Sequence, residues 1–202
     1  AEVTRRTTEL DVAVDRFVSR VRLKKLSVNF DGNVLHDGSA VTVRAVYLTN
    51  VLGSCGYGMT PSAAPSAFDE WYHRMKLESC PAPVSAMTAE TGLSVTVADN
   101  SGSSLDRTFY CYPNGCLSDP HSDAWAPRRT RLVIEASVGG RTCYYHVTLP
   151  QMLPNHSYEL EDCVIRNLGG NSPEENLELS TLSVTMSVTD WSTGFSKELV
   201  IE

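Results

Sequence analysis

Six cysteines are the residues of this 202-residue chain whose chemistry can be judged from spacing. No two of them form the CxxC pair that is typical of structural zinc sites, so zinc is the weakest interpretation. Cys111 and Cys116 enclose the strong turn sequence Pro113-Asn114-Gly115, which predicts a disulfide because the turn would bring their Cα atoms together. Buried free thiols remain the alternative. The six are Cys55, Cys80, Cys111, Cys116, Cys143 and Cys163.

The five histidines are scattered and form no His-x-x-x-His pair. His121 lies between Asp119 and Asp123 and could share a cation with them, but this composition is also ordinary for a turn, which we favour. His146, next to Tyr145 in a predicted strand, is expected at the surface. The sequence therefore assigns no metal ligand.

Other signals of catalysis are equally weak. The segment Gly53-Ser54-Cys55-Gly56 does not have the Gly-x-Ser-x-Gly spacing of a nucleophile elbow. Glu174 and Glu175 are adjacent acids, which a solvated loop explains. We predict that the chain is not an enzyme, with no catalytic residue and no cofactor.

Four aromatic side chains suggest a second class of function. If exposed in a groove with coplanar rings, they could stack on a sugar, as in a carbohydrate-binding surface module. They are Trp71, Trp125, Tyr144 and Tyr145.

These residues must be positioned by strands, because apolar and hydroxyl side chains alternate from Leu182 to Thr189. A strand sends successive side chains to opposite faces, so one face is predicted to be buried and the other wet. Similar alternation recurs along the chain, and Gly139-Gly140 predicts a tight hairpin between residues 131–138 and 141–149. One short helix is predicted near residues 66–78, with Ser66 as its N-cap. The pattern predicts an all-β, antiparallel two-sheet sandwich.

Charge and hydropathy argue against binding to nucleic acid and against a membrane-spanning helix. The formal net charge is -7, and no Lys/Arg cluster is longer than two residues. Binding to nucleic acid needs several cations on one surface, so we expect no such partner. The longest apolar runs are far short of the roughly 20 residues of a membrane-spanning helix.

Four segments resemble the C-terminal domain of fimbrillins, the major fimbrial subunits of Bacteroidia. The first is the Arg-rich strand from Asp15 to Leu23, and the second is Phe109-Tyr110-Cys111-Tyr112-Pro113-Asn114. The third runs from Thr142 to Pro150. The fourth is the ending, which joins Asn155-His156-Ser157-Tyr158, residues 169–174 and residues 184–191 in the family's order.

The resemblance implies a transthyretin-like Greek key at residues 10–202, preceded by a leader or linker at 1–9. It implies a structural subunit of a cell-surface fimbria that binds other subunits by strand addition and supports adhesion to host or bacterial ligands. Export as a lipoprotein precursor to the outer membrane is also implied. Arg5-Arg6 is the candidate protease site. The candidate donor-strand residues are Trp191, Phe195, Leu199, Val200 and Ile201.

The position in the fibre stays open between shaft, tip and anchor. Pro154 stands where the family usually has an arginine, and six cysteines are more than we expect in a main-shaft subunit. Family members usually carry an N-terminal domain before the Arg-rich strand, so the chain is expected to be one domain of a longer protein or a short variant.

Overall fold

The computed structural model describes residues 15–32, 36, 38–56, 65–66, 69–74, 87–120, 125–177 and 181–191. Within this part of the chain all regular structure is strand. The ten strands are β1 (Ser19–Val28), β2 (Val41–Thr49), β3 (Val51–Leu52), β4 (Trp71–Tyr72), β5 (Ala89–Val97), β6 (Ser101–Cys111), β7 (Arg131–Val138), β8 (Arg141–Thr148), β9 (His156–Ile165) and β10 (Leu182–Asp190). None of the described residues belongs to a helix that could cross a bilayer.

Eight of these strands form two four-stranded sheets. The first, here called sheet A, has the order β10-β9-β1-β6, and the second, sheet B, has the order β5-β2-β7-β8. Every neighbouring pair is antiparallel except β1 and β9, which run parallel at the centre of sheet A. The all-β two-sheet sandwich is confirmed, and its strand order is the expected transthyretin-like one. Strands β3 and β4 form a separate ribbon.

The core follows from period-two alternation. In β1, Val21 and Leu23 are fully buried, and so are Leu26 and Val28 after a step of three residues. The step fits because the register shifts between Leu23 and Lys25, a bulge that returns the apolar side chains to the inner face. The break in the apolar alternation of β1 therefore coincides with the β-bulge.

The hairpin of β7 and β8 is as predicted. Gly139 and Gly140 have φ angles of 57° and 84°, which residues with a Cβ adopt only with strain, and Val138 pairs with Arg141 across the turn. Leu132, Ile134 and Tyr145 of this hairpin are among the largest fully buried side chains of the core.

The helix predicted near residues 66–78 is wrong where the structure describes that segment. Trp71–Tyr72 is a strand that pairs with Val51–Leu52. The Gly53 amide donates to the Glu70 carbonyl at 2.8 Å, and the Trp71 indole donates to the Ser66 carbonyl at 3.0 Å. Partners from β3 replace the local bonds of a short helix, which is marginal alone. Residues 67–68 and 75–78 lie outside the described residues.

Strand β10 forms as predicted, but its apolar face is only partly sealed. Leu182, Val184 and Met186 pack at the margin of the core, whereas Val188 is 45% exposed. The reason is position, because β10 is at the edge of sheet A and has a neighbouring strand on one side only.

Candidate functional site

The outer face of sheet A carries a ladder of ion pairs. Alternation in β1 turns Arg20, Arg22 and Lys24 away from the core, towards acids on the flanking strands. The pairs are Arg20–Glu159 (3.0 Å), Lys24–Glu159 (2.6 Å), Lys24–Glu161 (2.9 Å), Lys25–Asp162 (2.9 Å) and Arg22–Asp106 (2.7 Å). The charges of this face are therefore balanced within the domain.

These pairs keep the acids ionised. Hydrogen bonds from Lys24 lower the pKa of Glu159 and of Glu161, and the guanidinium of Arg22 lowers the pKa of Asp106. A face whose acids already have cationic partners offers little to a charged ligand.

At one end of this face, Trp191 is held in what we call the Trp191 clasp, formed with Tyr110, Arg16, Arg20 and Asn155. The Trp191 and Tyr110 rings stack with centroids 5.7 Å apart and planes inclined by 20°. The guanidinium carbons of Arg16 and Arg20 lie 4.6 and 4.9 Å from the indole centroid, within the range of cation–π attraction.

Backbone groups complete the Trp191 clasp. The Trp191 amide donates to the Asn155 carbonyl at 2.6 Å, and Arg16 Nη1 donates to the Trp191 carbonyl at 2.7 Å. The Asn155 amide in turn donates to the Val18 carbonyl at 3.1 Å. The clasp thus joins the residues where the described chain enters sheet A to the residue where it leaves β10.

The sheet edges decide where another strand could be added. The edge of β8 is capped, because Tyr144 and Gly170 exchange backbone hydrogen bonds of 2.9 and 3.0 Å. The segment can approach β8 this closely because residue 169 is glycine, since a Cβ on Gly169 would lie 2.5 Å from the Tyr144 carbonyl oxygen. The β10 edge, from Leu182 to Asp190, has no backbone partner on its free side among the described residues.

The cation site considered around His121 is not assembled by the described residues. Asp119 instead pairs with Arg131, whose side chain is 3% exposed. His121 and Asp123 lie outside the described part, and no group of three or more His, Cys, Asp or Glu that could hold a metal occurs within it.

His146 departs from the expected surface position. It packs against Arg131, with Nε2 3.3 Å from Arg131 Nη1. Burial, and secondarily the charge of Arg131, lower its pKa from 6.5 to about 4. The imidazole is therefore neutral at physiological pH and acts as a structural partner of the guanidinium.

The disulfide predicted between Cys111 and Cys116 is not formed in the structure, where both are buried free thiols. The predicted turn does not close. Asn114 pairs with Met152 through two backbone bonds of 3.0 and 2.9 Å, and its amide group donates to the Arg128 carbonyl at 3.0 Å. Asn114 is thus engaged mainly by partners distant in the chain. Desolvation raises the pKa of Cys111 to about 12.

The four aromatic residues considered for sugar binding do not form a coplanar platform. Tyr145 is fully buried in the core. Trp71 and Trp125 meet edge to face, with planes inclined by 70°, and Arg74 covers the Trp125 ring at 4.6 Å. Tyr144 packs against the cluster formed by Ala45, Tyr47, Ala89 and Val133. This arrangement does not favour a carbohydrate-binding function.

Of the predicted assembly residues, the structure describes only Trp191. Arg5 and Arg6 lie outside the described residues, as do Phe195, Leu199, Val200 and Ile201. The sequence did not reveal the partners of Trp191. Alternation in β1 and β6 is the signal that could have placed Arg20 and Tyr110 on the outer face, but no local pattern could have brought them to one indole.

Comparison with known proteins relates this chain to others through the fold. No family model and no curated protein matches it. A "putative cell adhesion protein" from Parabacteroides distasonis ATCC 8503 aligns with a TM-score of 0.52 and 14% identity, over 91% of this chain and 54% of that one. A second from the same organism gives 0.55 and 14%, over 88% and 60%. The chain thus spans less than two thirds of either protein, and at this identity the likeness shows a shared fold.

Proposed function

We propose that this chain is a structural subunit of a cell-surface fimbria, which assembles by strand addition and supports adhesion. The observation that carries the proposal is the Trp191 clasp, because it fixes the point from which residues 192–202 begin. The shared fold with two Parabacteroides distasonis proteins, each described as a "putative cell adhesion protein", supports the surface role.

The segment after the clasp has the composition of a donor strand. Phe195, Leu199 and Ile201 share one parity, so in an extended strand they would point to the same side. Backbone hydrogen bonds supply affinity when such a strand joins a sheet, and the alternate side chains set the register by entering pockets. Val200 has the opposite parity and would face away.

The remaining parts of the proposal follow from the resemblance to fimbrillins. The partners are other fimbrial subunits, and the site of action is the cell surface at the outer membrane, reached through a lipoprotein precursor. Cleavage at Arg5-Arg6 would mature the chain. A structural role needs no catalytic residue and no cofactor.

The decisive experiment places a chain truncated after Trp191 under the conditions in which the full chain assembles. We expect the truncated chain to keep its fold by circular dichroism and to form no polymers in electron micrographs, because the donor segment is missing. Normal polymers from folded, truncated protein would refute strand donation.

Point variants separate side-chain pockets from the mere presence of the segment. Phe195→Asp and Leu199→Asp change residues of the proposed inward parity and should abolish assembly. Ser196→Asp, of the opposite parity, is the matched control and should assemble as the unchanged chain does.

A further inference from the structure

We propose a second interface, in which the edge of β10, which has no backbone partner among the described residues, pairs antiparallel with β10 of a second copy about a two-fold axis at Met186. Sheet A would then continue from one copy into the next. This contact uses described residues alone and does not involve residues 192–202, so it is independent of strand donation.

The first argument is the contrast between β10 and the other three edges. Edge strands are usually protected by bulges, charges or covering segments. The β8 edge is capped at Tyr144 by Gly170. The β6 edge carries Asp106 with a φ of 39° at its irregularity, and the β5 edge carries Gly92 with a φ of 70°.

Strand β10 has none of these devices among its nine residues. It contains no Lys, Arg or Pro, and its one charge, Asp190, is at the end of the strand, 3.0 Å from His156. The irregularity in its pairing with β9 leaves the extra residue, Glu161, on β9, so β10 itself stays regular. An unprotected, regular edge is a template for another strand.

The second argument is self-complementarity. About an axis at Met186, every hydroxyl residue meets a hydroxyl residue and valine meets valine, combinations that stabilise antiparallel pairs. The one acid, Asp190, meets Leu182, so no like charges are opposed. The facing pairs are Ser183 with Thr189, Val184 with Val188, and Thr185 with Ser187, with Met186 facing itself.

The third argument is what a partner would cover and what it would avoid. Val188, which is 45% exposed on the inner face, would gain an apolar neighbour. The acids on the neighbouring strand β9, which are Glu159, Glu161 and Asp162, already have cationic partners in their own copy. Although the net charge is -7, the dimer would therefore not bring unpaired acidic side chains of the two copies together.

The test uses the chain truncated after Trp191, which isolates this edge from the donor segment. Sedimentation at rising concentration should show a weak dimer, because an interface of one strand pair is at the small end of the known range. Thr185→Lys places a cation at the exposed edge and should weaken the dimer about tenfold or more. Ser94→Lys, exposed on the β5 edge, should leave it unchanged.

Cross-linking reports the register. Met186→Cys should give a disulfide-linked dimer under mild oxidation, with residue 186 bonded to residue 186 by peptide mapping, whereas Ser94→Cys should give no such link. A truncated chain that stays monomeric at every concentration would overturn the proposal. So would association that requires residues 192–202, since the β10 edge would then accept the tail of another copy.

Discussion

At the scale of single residues, buried ionisable groups link the stability of this protein to its solution conditions. His146 is held neutral beside Arg131, and the thiols of Cys111 and Cys163 are held protonated by desolvation. Each group resists the charged form for the same reason, because burial removes the water that would stabilise the charge.

His146 gives a prediction about pH. Its pKa in the folded protein, about 4, is below its ordinary value of 6.5, so the unfolded chain takes up the proton first. The free energy of unfolding should therefore fall as the pH drops from 6.5 towards 4, by on the order of 1–2 kcal/mol after allowance for partial exposure. In His146→Gln this part of the fall should be absent.

The measurement is urea unfolding of both proteins at several pH values between 4 and 7. The carboxylates contribute to both proteins alike, so the difference between the two curves isolates His146. Parallel curves across that range would show that the imidazole is not held neutral.

The thiols give a prediction about reactivity. Because desolvation raises the pKa of Cys111 and of Cys163 to about 12, neither forms thiolate at pH 8, and only thiolate reacts with iodoacetamide. We expect both to stay unlabelled in the native protein and to be labelled after unfolding, as read by peptide mass spectrometry. Burial also raises the pKa of Cys55, but this thiol is partly exposed and should be labelled before the two buried ones, so it serves as the control. A Cys111–Cys116 bridge in unreduced protein would contradict the free thiols seen here.

At the scale of strands, the edges of the two sheets are treated differently. Gly170 exchanges two backbone hydrogen bonds with Tyr144 of β8, while β10 is left regular and uncovered by the described residues. The strand predicted from Leu182 onwards formed because alternation is a local signal. The sequence could not show that Val188, near the end of β10, would stay exposed, because exposure depends on which strands become neighbours.

A substitution at Gly169 tests whether the contact of Gly170 with Tyr144, which caps the β8 edge, depends on the close approach of this segment. A methyl group at this position would lie 2.5 Å from the Tyr144 carbonyl oxygen, so Gly169→Ala must push the covering segment off the strand. We expect the variant to lose about 1–3 kcal/mol of unfolding free energy. Ser172→Ala, in the same segment, should change it by less than about 0.5 kcal/mol. Equal melting curves for the two variants would show that the cap does not depend on this close approach.

At the scale of the whole molecule, the Trp191 clasp joins the two ends of the described sandwich. Arg16 precedes the first strand and Trp191 follows the last, yet one donates to the carbonyl of the other at 2.7 Å. A partner that pulled on residues after Trp191 would load sheet A through this contact.

Trp191→Ala measures how much the clasp contributes. It removes one aromatic pair and two cation–π contacts, so we expect a loss of about 1–2 kcal/mol in unfolding free energy. Limited proteolysis should also cut the tail beyond residue 191 faster. Arg22→Gln changes the same face outside the clasp and is the control. Unchanged stability in Trp191→Ala would show that the indole only rests on the surface.

The sequence by itself determined the strands, the Gly139-Gly140 hairpin and the two-sheet class, because each depends on period-two alternation or on backbone angles that neighbouring residues dictate. Only the tertiary structure decided that Trp71–Tyr72 is a strand, that Asn114 pairs with Met152, and that Tyr110 meets Trp191. Each of these outcomes depends on partners distant in the chain, such as Val51, Met152 or Arg16. Local patterns cannot encode such contacts, since they arise only when segments distant in the chain become neighbours in the fold.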